Sequence, residues 1–306
     1  MYNRVLFLGS KLSGLEVLKK IYQIKPSSVI GCITIDDVED LRSVFREFEV
    51  FCSINKIPME VVKGSCNIKI LIDKYRPDLC IVMGWYYLID SSIIKNVRGG
   101  FIGIHNSLLP RYRGFSPVVW AIINGEKETG FSVFSFDEGM DTGQLWYQGR
   151  VTIEDKDYIN TVLEKINQKI LIFFQENYLD LLDEKLCPYE QKAISATYGS
   201  RRTAEDGKIK WNQPAKNIYN FIRAQSKPYP GAFSFYDNKK IIIWKASIFS
   251  SNVYGTPGQV CMINKEEESV IVVCGENSGL ILKEVEMDSK KIKPANIPVS
   301  LNKKFE

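Results

Sequence analysis

Apolar and polar residues come in blocks along the first third of the chain, and the blocks change period in a regular way. Val5-Leu6-Phe7-Leu8-Gly9 is an unbroken apolar run ending on glycine, the pattern of a strand buried on both faces. Ser13 to Tyr22 then sets leucine and isoleucine at helical spacing. The alternation continues with a strand at Ser28–Ile35 and a helix over Val38–Ile54 that carries Leu41, Val44, Phe45 and Phe48 on one side. A strand at Ile57–Val62, a helix at Ile68–Tyr75 and a strand at Asp78–Met83, ending at Gly84, follow. Such alternation predicts an α/β fold with a Rossmann-like, doubly wound, mostly parallel sheet. Ligands of these sheets lie beyond the carboxyl ends of the strands, here at Gly9, at Gly84 and after Ile104. Gly9 and Gly14 lack the Lys-Ser/Thr of a phosphate loop and the G-x-G-x-x-G of a dinucleotide site, so they read as turn glycines.

Farther along, Phe131–Phe136 and Leu145–Ile153 read as strands. Asp157–Leu182 reads as a long helix with Val162, Ile166, Ile170, Phe173 and Phe174 on one face. The texture then turns polar from Glu184 to Asp206, as in a linker. A short helix at Ala215–Ala224 precedes short strands at Ala232–Tyr236, Lys240–Ala246, Gln259–Ile263, Ser269–Cys274 and Gly279–Val285, which predict a small OB-like β-barrel. The expected organisation is a catalytic domain over 1–185, a linker over 186–206 and a C-terminal β domain over 207–306.

Composition narrows the function without naming it. The 306 residues are 45% hydrophobic and 25% charged, enough to bury a core without a metal or disulfide staple. A net charge of +4 is too mild to argue for nucleic acid without a basic cluster. The seven cysteines (Cys32, Cys52, Cys66, Cys80, Cys187, Cys261 and Cys274) show no C-x-x-C pair and read as reduced, buried thiols. With one histidine and no cysteine cluster, no metal site is expected. The start, Met1-Tyr2-Asn3-Arg4-Val5-Leu6, lacks a signal-peptide profile, and no apolar run reaches membrane-spanning length, so a cytoplasmic protein without membrane contact is expected.

The single histidine, His105, stands in Gly103-Ile104-His105-Asn106-Ser107-Leu108-Leu109-Pro110-Arg111-Tyr112-Arg113-Gly114. Imidazole is the side chain whose unperturbed pKa suits proton transfer near neutral pH. Downstream lies Asp137-Glu138-Gly139-Met140-Asp141-Thr142-Gly143. In order and separation these two motifs resemble those of the folate-dependent formyltransferases, a family that includes methionyl-tRNA, glycinamide ribonucleotide and sugar N-formyltransferases. Ser200-Arg201-Arg202-Thr203, Glu205-Asp206-Gly207 and Pro228-Tyr229-Pro230-Gly231-Ala232-Phe233 resemble its C-terminal region.

The resemblance implies attack of an amine on the formyl carbon of 10-formyltetrahydrofolate. The enzyme would act without metal or covalent intermediate, with His105 as general base and Asp141 as its partner. The family's third catalytic position, normally Asn, is Gly103 here, which removes a side-chain oxyanion donor. A backbone N–H or water in the space glycine leaves, the neighbouring Asn106, or a slow or inactive enzyme each answers that loss. Met83-Gly84-Trp85-Tyr86-Tyr87-Leu88-Ile89 resembles the folate-binding loop, and its aromatics suit either a pterin slot or core packing. By the same resemblance Asp137 and Gly139 belong to the folate side and Ser107 to the substrate side. Arg111 and Arg113 suit phosphate or folate glutamate, or plain solvation. Arg201 and Arg202 suit a phosphate clamp or a linker surface.

The acceptor is read from what is absent. Methionyl-tRNA formyltransferases carry a basic, glycine-containing insertion after the second strand. This chain has Asp36-Asp37-Val38-Glu39-Asp40, four acids in five residues, which would repel a phosphate backbone; they also read as caps of the next helix, which still leaves the basic insertion absent. The expectation is an N-formyltransferase acting on a nucleotide-linked amino sugar, a surface polysaccharide or lipopolysaccharide precursor, with a homodimer contact available on the C-terminal domain. Methionyl-tRNA formyltransferase, 10-formyltetrahydrofolate hydrolase and a non-catalytic folate-binding protein are the alternatives.

Overall fold

The computed structural model describes residues 1–63, 67–301 and 303–306, so Cys66 lies outside the described residues. In chain order the main elements begin with β1 (Val5–Gly9), α1 (Lys11–Ile24), β2 (Val29–Ile35), α2 (Phe45–Ile54), β3 (Met59–Val62), α3 (Ile68–Tyr75), β4 (Leu79–Met83), α4 (Ser91–Lys95) and β5 (Phe101–His105). Next come β6 (Arg113–Gly114), α5 (Pro117–Ile123), β7 (Glu128–Ser135), β8 (Leu145–Thr152), α6 (Ile159–Leu182), β9 (Tyr198–Gly199) and α7 (Ala215–Gln225). The last are β10 (Ala232–Tyr236), β11 (Lys239–Phe249), β12 (Val260–Asn264), β13 (Ser269–Val273), β14 (Gly279–Met287) and β15 (Lys290–Ile292).

Two compact units result. The first joins Met1–Gly114, Thr129–Thr152 and Glu164–Gly199; the second joins Phe115–Glu128, Ile153–Leu163 and Ser200–Glu306. The stretch that reads as a linker is therefore shared: through Gly199 it belongs to the first unit, and from Ser200 to the second.

The first unit is built on a seven-stranded sheet of order β3-β2-β1-β4-β5-β7-β8. The first five strands are parallel, and β7 runs antiparallel to β5 with Gly103 opposite Phe134 and His105 opposite Ser132. All five residues of β1 and of β4 are buried, which is why those segments read as unbroken apolar runs. The chain winds outward from β1 to β3, then resumes on the other side with β4 and β5. The switch point, where such sheets bind ligands, thus falls between β1 and β4.

The helix expected over Val38–Ile54 is shorter than its pattern suggests: α2 begins only at Phe45. Side chains bend the segment before it. Lys11 Nζ meets Asp37 and Asp40 at 2.5 and 2.9 Å, Ser43 donates to Asp37, and Arg42 donates to Asp40 through its backbone, Nε and Nη2. Leu41, counted on the apolar side of that helix, is 95% exposed. The acids consequently fold a loop rather than cap a helix.

Arg42, followed by Lys11, holds the Asp40 carboxyl well below the usual carboxylate range. A depressed folded-state pKa stabilises above the ordinary value near ~4 and is lost as pH falls below it. Asp40→Asn should therefore cost about 1 kcal/mol at neutral pH, and its Tm difference from the parent should narrow steadily as pH falls below about 4, vanishing only once Asp40 is protonated in the folded protein as well. Thermal melts across that range check this; a difference that persists unchanged in acid would rule it out.

The second unit carries an antiparallel sheet of order β10-β11-β14-β13-β12, with β15 on β14, in keeping with the OB-like domain expected. Ile218 and Ile222 of the amphipathic α7 join Ile241, Ile243, Val270, Val272, Leu280 and Leu282 in its core. Residues 303–306 bridge the two edges of the sheet. Phe305 donates to Gly258 O at 2.8 Å, while Glu306 and Phe235 exchange backbone bonds of 2.9 and 3.0 Å. Arg223, 2% exposed, is satisfied by Asn220 Oδ1 and the carbonyls of Glu154 and Asp157. Among the described cysteines Cys32, Cys52, Cys80 and Cys274 are buried, but Cys187 and Cys261 are exposed, because their segments face solvent rather than a core. No helix among the described residues is long and apolar enough to cross a membrane.

Candidate active site

His105 is the last residue of β5, at the carboxyl edge of the sheet, with its side chain 11% exposed. Its Nε2 lies 2.8 Å from the Tyr112 carbonyl oxygen. A carbonyl can only accept, so Nε2 carries the proton and the lone pair of the neutral ring sits on Nδ1. Nδ1 faces Asp141 Oδ2 at 3.6 Å. The ring rests edge-on against Phe134, centroids 6.4 Å apart.

Asp141 is aimed by its own loop. Asp137 Oδ1 accepts from Gly139 N at 3.0 Å and from Thr142 Oγ1 at 2.6 Å, tightening the turn between β7 and β8. Asp137 and Gly139, expected on the folate side, are thus tied into that turn. Asp141 itself adopts φ +54°, a left-handed conformation that costs a non-glycine residue on the order of 1 kcal/mol. Its Oδ2 is fixed by the Gly114 N–H at 2.7 Å.

Gly103 leaves no open space. A Cβ there would stand 2.2 Å from Phe136 Cε1 and 3.0 Å from Phe134 Cε1. Phe136 stacks with Phe101 and tilts against Phe134, and it fills the volume an asparagine side chain would need. The expectation of open space beside Gly103, to be filled by a backbone N–H or a water, is corrected accordingly. Asn106 lies one residue past the strand end, and its Oδ1 is buried with no hydrogen-bond partner among the described residues.

The loop after β4 begins with Gly84 at φ +71°, where a Cβ would stand 2.4 Å from Ser10 O, so only glycine fits. Met83 is buried. Trp85 and Tyr87 meet edge to face at 5.8 Å and pack on the apolar cluster around Val82 and Phe101. The Trp85 indole N–H is buried without a partner among the described residues. Tyr86 and Leu88 are exposed, and Lys11 Nζ sits 5.6 Å from the Tyr86 ring centre. This loop offers a donor and ring faces beside the switch point, a chemistry that fits a flat heteroaromatic ring such as a pterin.

The other expected contacts divide. Ser107 is 1% exposed and donates to Arg111 O, which makes it a turn anchor. Arg113 is 4% exposed, bonded to Gln191 Oε1 and Tyr198 OH. Arg111 lies beside the Tyr112 ring. In the second unit Arg202 donates to Asp206 O and Gln225 Oε1 and stacks over Trp120, while Arg201 is exposed. Gln191, Thr197 and Tyr198 escaped the sequence reading, because they sit in a polar stretch without periodicity.

The chain matches known proteins along most of its length. Residues 57–174 match the profile described as Formyl transferase, and residues 201–299 that described as Formyl transferase, C-terminal domain. The methionyl-tRNA formyltransferase of Caldanaerobacter subterraneus subsp. tengcongensis is 32% identical over 295 residues, 94% of each chain. The bifunctional polymyxin resistance protein ArnA of Wigglesworthia glossinidia brevipalpis is 36% identical over 259 residues, 83% of this chain and 38% of that protein. Among solved structures, WlaRD, a sugar 3N-formyl transferase determined with dTDP and 5-N-formyl-THF, superposes with a TM-score of 0.68 at 18% identity, covering 94% of this chain and 98% of that one. The N-formyltransferase of Helicobacter canadensis, determined with folinic acid and dTDP-3-aminofucose, gives 0.70 at 18% identity, over 91% and 98% of the two chains. Full-length identity of this order, added to a histidine and an aspartate brought face to face at the end of β5, establishes that the chain belongs to the formyl transferase family.

Proposed function

We propose that this enzyme moves the formyl group of 10-formyltetrahydrofolate to the amine of a nucleotide-linked amino sugar, a precursor of surface polysaccharide. The observation that carries the chemistry is the His105–Asp141 pair, 3.6 Å apart beside the aromatic loop after β4. Bound 10-formyltetrahydrofolate would supply an electrophilic formyl carbon, with Trp85 and Tyr87 lining its slot. His105 Nδ1 takes the proton shed by the attacking amine, Asp141 Oδ2 holds the imidazolium that results, and that imidazolium would return the proton to N10 as its bond to the formyl carbon breaks and tetrahydrofolate leaves. With Phe136 filling the space beside Gly103, the Nδ2 of Asn106, one residue past the strand end, is the side-chain donor left to serve the oxyanion.

The acceptor class rests on the loop before α2. Asp37 and Asp40 pair with Lys11, Asp40 also with Arg42, and Asp36 with Lys63, which leaves no cationic surplus for a phosphate chain. That pairing also makes the loop less repulsive than its sequence suggests. Structures of this fold determined with dTDP and with dTDP-3-aminofucose support the sugar reading. The 32% identity to a methionyl-tRNA formyltransferase supports the second reading, the same chemistry on tRNA.

A panel of nucleotide-linked amino sugars, with methionyl-tRNA alongside, followed by mass spectrometry, separates the two. A sugar nucleotide that gains one formyl group is the expected result. Transfer to tRNA alone overturns the acceptor class, and tetrahydrofolate release with no acceptor formylated points to a hydrolase.

A further inference from the structure

We propose that Thr197 and Gln191, both in the polar stretch after α6, are positioning residues that set the orientation of the catalytic pair. The inference rests on His105 and Asp141 being that pair, and it concerns how the pair is held rather than what it formylates.

His105 depends on one carbonyl, that of Tyr112, and this carbonyl shares a planar peptide with the Arg113 N–H. The two groups of a trans peptide point in opposite directions. Arg113 N–H donates to Thr197 O at 2.8 Å, so the Tyr112 oxygen is turned the other way, toward Nε2. Thr197 grips the segment twice more: its Oγ1 accepts from Tyr112 N at 2.8 Å, and its N–H donates to Pro110 O at 3.1 Å. Tyr112 sits at φ +56°, a left-handed conformation that a tyrosine holds only when its surroundings enforce it. Thr197 supplies that enforcement, and through the Tyr112 carbonyl it selects the imidazole tautomer with its lone pair toward Asp141.

Gln191 does the corresponding work for Asp141. Its Nε2 donates to the carbonyls of Asp141 and Gly143 at 2.9 and 2.7 Å, on the backbone that carries Asp141 at φ +54°. Its Oε1 accepts from Arg113 Nε and Nη2, and Arg113 reaches Tyr198 OH through Nη1. The buried arginine therefore orients the glutamine amide, with the oxygen toward guanidinium and the nitrogen toward the aspartate loop. Two left-handed residues, Tyr112 next to His105 and Asp141 itself, are held by Thr197 and Gln191, six positions apart in the chain.

The test exploits the single histidine of the chain, since the imidazole spectrum of the untagged, 15N-labelled protein contains one ring. Two-bond 1H–15N correlations distinguish the Nε2–H from the Nδ1–H tautomer. The parent should show Nε2–H alone. Thr197→Val, which keeps the shape and removes the acceptor for Tyr112 N–H, should give a mixture of tautomers. It should also lower kcat ~10- to 100-fold at unchanged folate KM, and Thr197→Ser should restore both. Gln191→Glu keeps an acceptor for Arg113 and loses the two donors, and should lower kcat without changing the tautomer. A parental tautomer and parental kcat in Thr197→Val, with only Tm reduced, would overturn the proposal, as would parental kcat in Gln191→Glu. If no acceptor is turned over by the parent, the functional reading fails, while the tautomer measurement still decides the role of Thr197.

Discussion

Replacing His105 with Asn should lower kcat by about 10²- to 10⁴-fold, the range for loss of a general base, while folate binding holds. Asparagine fills similar space at the end of β5 but cannot take a proton from the acceptor amine. The sheet beneath stays intact, because the ring lies over Phe134 rather than inside the core formed by β1 and β4. Steady-state kinetics together with a folate-binding isotherm checks this; full turnover in the variant would refute the assignment. Asp141→Asn should lose much of the same factor, and the double variant little more than His105→Asn alone, since groups that act as a unit are not additive.

The second large effect concerns Gly103. Restoring the asparagine typical of the family looks like a repair and should instead do damage. A Cβ at this position meets Phe136 Cε1 at 2.2 Å, so Gly103→Asn forces Phe136 out of its place against Phe101 and Phe134. Overpacking of this kind costs about 1–3 kcal/mol, a fall in Tm of a few degrees for a unit of this size. Turnover should drop with it, because Phe134 supports the His105 ring. Adding Phe136→Leu vacates the ring volume and should recover the lost stability. Gly103→Asn alone with higher kcat and unchanged Tm would show that the phenylalanine yields at little cost.

Most of the first sheet was legible in the sequence, because β1, β2 and β4 are buried on both faces and announce themselves as apolar runs. The elements that escaped are short. α4 spans five residues, α5 seven, and β6 and β9 two each, too few to show a period repeating. The loop before α2 misled for a different reason: Val38, Leu41 and Val44 happen to sit at helical spacing, while Lys11 pulls Asp37 and Asp40 into a turn. His105 and Asp141 were legible as residues, since their motifs are local. The filling of the Gly103 space by Phe136 was not, because Phe136, one residue past the end of β7, reaches Gly103 only once β5 and β7 are in register. The role of Gln191 and Thr197 was hidden likewise in a stretch whose composition resembles a connector.

The distance in sequence between the brace and the site has a consequence for how activity arises. Tyr112 and Thr197 are 85 positions apart, and Asp141 and Gln191 are 50 apart. The β1–β5 scaffold needs none of these contacts to form. A chain emerging from the ribosome would thus possess the sheet, the histidine and the aspartate well before it possesses a catalyst. Residues 189–199 leave the ribosome after every strand of the first sheet, from β1 through β8. Competence for formyl transfer is then a late event in folding, conferred when residues 189–199 return to dock on a scaffold already built.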